Sequence, residues 1–290
     1  SLRVFTAFPE RRNVLHRAAK ACSPTLRYWM ETEVHVYGFS IAANVLLSFF
    51  PFLIVMVSLC RYVLHWQAAE NAIYLALSDY FPDPLGSFLK NNLKSTVMAR
   101  GPFQIGSVLL LFFTANGIFE PMEVALNRAW GITGNRTFLR NQIVSLGLIF
   151  ACGALVLVST VLTALNADLV AALSGGSKRL STLVGALFFK AAAVPISILM
   201  LFLIYWRLPN RRLPARELVV PAILVGLALE GLKYINLLTW PWLRGKLQGE
   251  YGPFVFSVTI ILWSFLAAMI ILGGAEWSAR RLNVQSPCGN

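Results

Sequence analysis

Six long apolar runs, separated by short joints rich in basic residues or in Gly and Pro, constrain this chain more than any other feature. The runs are Tyr37 to Leu64, Pro102 to Phe119, Gln142 to Leu165, Thr182 to Trp206, Leu218 to Thr239 and Phe254 to Gly274. Each approaches or exceeds the roughly 20 residues that an α-helix needs to cross a bilayer. Taken together they leave almost no soluble domain in which an ordinary active site could sit.

Composition agrees. The 290 residues are 57% hydrophobic and only 13% charged, against about 25% charged in soluble globular chains, and mean hydropathy is +0.65. The net charge of +12 would suit nucleic acid if it were clustered, so its placement decides its meaning. With the amino terminus inside, the inner pieces hold fifteen Lys/Arg and the outer pieces eight, counting Arg61 at the outer end of the first run. That asymmetry is the positive-inside bias, which predicts both termini in the cytoplasm. Nucleic acid is not expected as a partner. Contact of Arg11, Arg12, Arg17 and Lys20 with anionic lipid is the remaining alternative for the basic amino-terminal segment.

The expected fold class is all-α: a polytopic membrane protein of six transmembrane helices, an amphipathic N-terminal helix and a short helical extracytoplasmic loop. The predicted division is an interfacial segment 1–36, a membrane domain 37–275 containing the loop 65–101, and a cytoplasmic tail 276–290. In the first segment Val14, Leu15, Ala18, Ala19, Cys22, Leu26, Trp29 and Met30 recur at helical spacing, which fits a helix lying on the inner leaflet or capping the bundle. In the loop, apolar positions predict two short amphipathic helices flanking Phe81-Pro82-Asp83-Pro84, read either as a lid over the outer mouth or as an interfacial hairpin. Joints are expected at 120–141, 166–181, 207–217 and 240–253. The first apolar run is expected to act as its own insertion signal. Cys22, Cys60, Cys152 and Cys288 fall in spans or inner segments, so no disulfide framework is expected.

Catalytic patterns are missing from the sequence: no H-E-x-x-H, G-x-S-x-G, Walker A or G-x-G-x-x-G motif, and no paired Cys or His at metal-ligand spacing. His16, His35 and His65 are isolated. The expectation is a protein that is not an enzyme, with no cofactor and no metal, and without direct ATP drive by this chain.

Charges within the runs are more informative, because an ionisable group near the bilayer centre costs roughly 2.5 to 3.5 kcal/mol and faces a bundle interior or a wet cavity. Lys190, Glu230 and Lys233 are such groups. Lys190 and Glu230 lie at matching depths of roughly 12 and 14 Å from the outer ends of their runs, so a Lys190–Glu230 pair across antiparallel helices is predicted. Lys233 and Tyr234 follow on the same run. These residues, with Asn44, Ser48 and the helix-interrupting Pro51, are the candidate lining of a transport cavity; an ion pair that merely locks the bundle is the alternative. At the inner side Glu120, Glu123, Asn127, Arg207 and Glu276 are the candidate gate, or else ordinary inner-surface salt bridges that recruit Arg207, Arg211 or Arg280.

Six stretches together resemble the YihY/BrkB family of bacterial inner-membrane proteins, over residues 30 to 280. They are AANVLLSFFP at Ala42 to Pro51, ALNRAWG from Ala125, RLP at Arg207 to Pro209, GLALEGLKY from Gly226, EYGPF around Tyr251-Gly252, and Trp263 followed by ILGGAEW with Gly274 and Glu276. The resemblance implies six spans in the bacterial inner (cytoplasmic) membrane with both termini inside, and transport as the activity. Some relatives carry ribonuclease or virulence-factor labels, but this sequence has no acidic metal-binding cluster to support the first. The resulting expectation is a transporter or flippase-like exporter of an amphiphilic or anionic solute, or in the alternative a non-transporting envelope-assembly scaffold. Membrane lipids and a small amphiphilic or anionic substrate are the expected partners, with a homo-oligomer or an envelope partner protein as further candidates.

Overall fold

In hydrocarbon a spanning segment must satisfy its own backbone hydrogen bonds, so apolar runs of this length fold as helices. The computed structural model describes residues 24–80, 85–98, 102–134, 136–173, 194–211 and 213–285. Among the described residues there is no strand. After a helical turn at 24–29, called α1, come α2 (Thr32–Ser58, continued by a π-turn Leu59–Val63), α3 (Gln67–Tyr80), α4 (Leu85–Met98), α5 (Pro102–Ala129), α6 (Phe138–Leu173), α7 (Val194–Arg207), α8 (Ala215–Tyr251) and α9 (Val255–Gln285). The chain is an all-α, polytopic membrane protein.

Five of these helices carry five of the apolar runs, and α7 carries the described part of the run Thr182 to Trp206. Four contain described stretches long and apolar enough to cross a bilayer, Thr32–Val63, Leu139–Val158, Ala215–Asn236 and Val255–Leu282, and Val194–Arg207 is a shorter apolar helix. Large apolar side chains stand outward on them, among them Ile105, Leu109, Leu139, Ile143, Leu224 and Leu238. An apolar exterior is what lipid requires.

Helix ends differ from the sequence expectation in one consistent way: the helices outrun the apolar runs. α8 has 37 residues, roughly 55 Å at 1.5 Å per residue, against a hydrocarbon core of about 30 Å. The piece 240–253 expected as a joint is helical to Tyr251. Trp240 and Trp242, with the Lys246 ammonium 5.7 Å above the Trp242 ring, mark the place where α8 leaves hydrocarbon in the manner of an aromatic belt. The helix ends only at Gly252, whose φ of +52° is a left-handed conformation that suits glycine. In the same way α9 continues through residue 276 to Gln285 and α5 ten residues beyond Phe119.

The main core gathers α2, α5, α6, α7, α8 and α9 around Ile41, Leu126, Leu148, Tyr205, Leu218 and Leu272. α2 packs chiefly on α5 and α9, and α8 on α9. Small residues let these helices approach closely, as is usual in membranes. A Cβ at Gly274 would fall on the Val225 side chain of α8 and the Tyr205 hydroxyl of α7, and one at Gly117 would fall on Asn44. A smaller core seats the two expected amphipathic helices: Tyr74 and Leu77 of α3 and Leu93 and Val97 of α4 close on Ile54 and Val57 of α2, while Ala69 and Ala72 close on Met56 and Leu157. The hairpin is therefore docked on the ends of α2 and α6. Of the amphipathic segment expected before residue 31, the part from Val14 to Cys22 lies outside the described residues.

Candidate functional site

Of the three charges expected inside the membrane, Lys190 lies outside the described residues, as does its predicted pairing with Glu230. Glu230 has two partners, one on the neighbouring α7 and one on its own helix. Ser197 Oγ on α7 donates to its Oε1 at 3.1 Å, and Lys233 Nζ, one helical turn on, stands 3.7 Å from Oε2. The carboxylate side chain is mostly buried, at 12% exposure, while that of Lys233 is 42% exposed. Close contact makes this geometry available: a Cβ at Gly226 would fall on Ile198, so α7 and α8 lie near enough for a serine hydroxyl to reach the acid. Ser197 was not singled out in the sequence, since a lone serine in an apolar run has no visible partner until the register of two helices is known. Tyr234 is exposed.

The other expected lining residues are not in the same place. Asn44 donates to its own helix at Ser40 and faces Gly117 of α5, and Ser48 Oγ donates to the Asn44 carbonyl at 2.7 Å. α2 packs first on α5 and then on α9, and α8 packs on α9. Asn44 thus faces α5 and Ser48 bonds within α2, so neither joins the Ser197–Glu230–Lys233 group; Pro51 is buried in α2. The reason is geometric: sequence shows which residues are polar, not which helices are adjacent.

The inner candidates separate into two groups. In the first, Glu276 accepts from Thr25 Oγ1 at 2.9 Å and pairs with Arg280 one turn on, so α1 is tied to α9; Trp29 Nε1 adds a 2.8 Å bond to the Met269 carbonyl. In the second, buried Glu123 of α5 is surrounded by the side chains of Asn127, Asn141 and Asn210 and by the charge of Arg136. Asn127 Oδ1 accepts the Asn210 backbone N–H at 2.9 Å. Arg136 donates to the carbonyls of Arg207, Leu208 and Pro209, clasping the end of α7. Burial pushes the Arg136 guanidinium below its ordinary value, with the Glu123 carboxylate opposing that shift. Arg207 contributes its carbonyl and is itself exposed, Glu120 is exposed, and the arginine whose charge acts on Glu123 is Arg136. Arg128 pairs with Glu33 of α2. Among the described residues no group of three or more His, Cys, Asp or Glu could hold a metal ion.

The described parts of the pieces expected inside, from 24–36, 120–141, 207–217 and after 276, meet at one end of the bundle through these bonds. The α3–α4 hairpin sits at the other end of α2. The profile of the family described as Virulence factor BrkB covers residues 25–287. The chain belongs to the BrkB family.

Among curated BrkB relatives, a UPF0761 membrane protein of Acinetobacter baylyi is 29% identical over 203 residues, 68% of this chain and 45% of the relative. A UPF0761 membrane protein of Chlorobium chlorochromatii is 25% identical over 255 residues, 86% of this chain and 56% of the relative. The chain spans about half the length of these two. YfkH of Bacillus subtilis, named as ribonuclease-like, is 24% identical over 247 residues, 81% of this chain and 85% of YfkH. No solved structure matches.

Proposed function

We propose that this BrkB-family chain is a transporter or flippase-like exporter of the bacterial inner membrane, which moves an amphiphilic or anionic solute along the α7–α8 seam. The observation that carries this reading is the Glu230–Lys233–Ser197 group set in an otherwise apolar span. A mostly buried acid beside a part-exposed lysine is costly in hydrocarbon, and its two charges give a polar foothold for a charged solute, with Glu230 as the carboxylate for proton or cation coupling. The end that gathers Arg128, Arg136, Arg207, Arg211 and Arg280 is taken as cytoplasmic on the positive-inside bias, which places both termini there. The ribonuclease-like label belongs to YfkH; the present reading gives this chain no catalytic role.

A scaffold reading has one observation in its favour: Glu230 is already satisfied by Lys233 of its own helix and by Ser197 of α7, as a group that only holds the two helices together would be. The two readings separate in reconstituted vesicles. Movement of a fluorescent phosphatidylglycerol across the bilayer should require protein and fall on Lys233→Ala, whereas a scaffold gives no movement above empty vesicles.

A further inference from the structure

The end of α2 departs twice from regular backbone. Leu59–Val63 is a π-turn, closed by Leu64 N–H donating to the Leu59 carbonyl at 2.9 Å, and His65 has a φ of +50°, a left-handed conformation uncommon for a residue other than glycine. π-turns gather at functional positions, and strained residues persist where the surrounding structure holds them. Both irregularities border the same place, a cavity of about 670 Å³ between this turn, α3 and α4.

The π-turn delivers Arg61 to the cavity, where Glu70 of α3 fixes its Nη1 at 3.2 Å. One guanidinium has five N–H donors, so this bond orients Arg61 and leaves others for a ligand. Tyr62, next in the turn, donates to the Val97 carbonyl at 2.9 Å and fastens the far end of α4. On that helix Lys90 and Lys94 are one turn apart on the cavity wall, both exposed and neither paired with an acid among the described residues. Trp66 and Met98 line the same cavity and are 39% and 47% exposed. Three cations and one carboxylate thus stand beside apolar side chains in one cavity lining.

We infer that this cleft binds the phosphate of an anionic headgroup, with Arg61, Lys90 and Lys94 on the phosphate and Trp66 and Met98 against the apolar part of the ligand. The volume lies within the range of small-ligand pockets. Arg gives oriented hydrogen bonds to phosphate and Lys a compact charge, and Glu70 acts as a positioning residue that holds Arg61. The phosphate has two sources, a bilayer lipid or free phosphate; the exposed Trp66 and Met98 favour the lipid. The inference is independent of the transport reading, because binding is measured without movement across a bilayer.

The test uses the purified full chain in detergent, with retained lipid counted by native mass spectrometry. Wild-type protein should retain phosphatidylglycerol in preference to phosphatidylcholine. The Lys90→Gln/Lys94→Gln double variant should lose that affinity by about tenfold or more, since two headgroup-facing charges are removed, and Lys94→Glu alone should also lose it. An Arg211→Gln/Arg216→Gln control removes the same charge at the other end and should stay within about twofold of wild type. In a parallel arm, millimolar inorganic phosphate that raises the melting temperature of wild type but not of Lys90→Gln/Lys94→Gln, without lipid preference, would assign the site to free phosphate. Equal retention of both lipids with no phosphate effect would overturn the inference. So would undiminished binding by the folded double variant, or an equal loss in the control.

Discussion

At the scale of residues, the inner end offers a direct comparison between two arginines. Arg136 is half-buried, donates to three successive carbonyls and faces buried Glu123; Arg128 meets Glu33 where both side chains are more than half exposed. Exposed pairs contribute about 0–1 kcal/mol, whereas removing a part-buried donor leaves three carbonyls short of their partner and takes away the positive charge that acts on buried Glu123, at about 1–3 kcal/mol. Arg136→Met should therefore lower stability in an SDS or urea titration by about that amount, and Arg128→Ala by under about 1 kcal/mol. Equal effects would show that the clasp on α7 contributes nothing. None of this was visible in the sequence, where Arg136 counted only as an inner positive charge. Its task follows from a loop path that brings α6 under the end of α7.

At the scale of elements, contact between α7, α8 and α9 turns on one glycine. Gly274 admits Val225 and the Tyr205 hydroxyl, and that hydroxyl donates to the Ile271 carbonyl at 2.6 Å in the fully buried core. Gly274→Ala should cost about 1–3 kcal/mol by overpacking, since the branched Val225 has little rotamer freedom. Tyr205→Phe should cost about 0.5–1.5 kcal/mol, as one interhelical hydrogen bond in a membrane. Because the two sites touch, their losses should not add; a strictly additive double variant in the same titration would contradict the shared contact. Apolarity summed over twenty residues is a strong signal, and for this reason the apolar helices could be read from the chain, while the α3–α4 hairpin was legible in the helical spacing of its apolar positions. Helix ends were less legible: 240–251 is polar enough to read as a joint, yet α8 runs through Pro241 to Tyr251. The π-turn that presents Arg61 has no compositional mark.

At the scale of the whole molecule, the bonds that collect the inner pieces at one end make the topology a single choice. Cysteine placed at Arg211 or Arg280 should resist an impermeant reagent in intact cells, and cysteine placed at Gly245 should react. Reaction at residue 211 would invert the arrangement. Glu230 and Lys233 were legible as misplaced charges, but Ser197 was not, and Asn44 and Ser48 proved to belong to another contact. The functional claim thus rests on the α7–α8 seam. The measurement that bears on it most directly is transbilayer movement of fluorescent phosphatidylglycerol in vesicles reconstituted with wild-type, Lys233→Ala and Glu230→Gln protein at matched levels. The account predicts movement with wild type and a fall on the order of tenfold or more in each variant, corresponding to loss of about 1.4 kcal/mol or more of binding to the moving solute. Unchanged movement in both folded variants, or no movement with wild type, would contradict it.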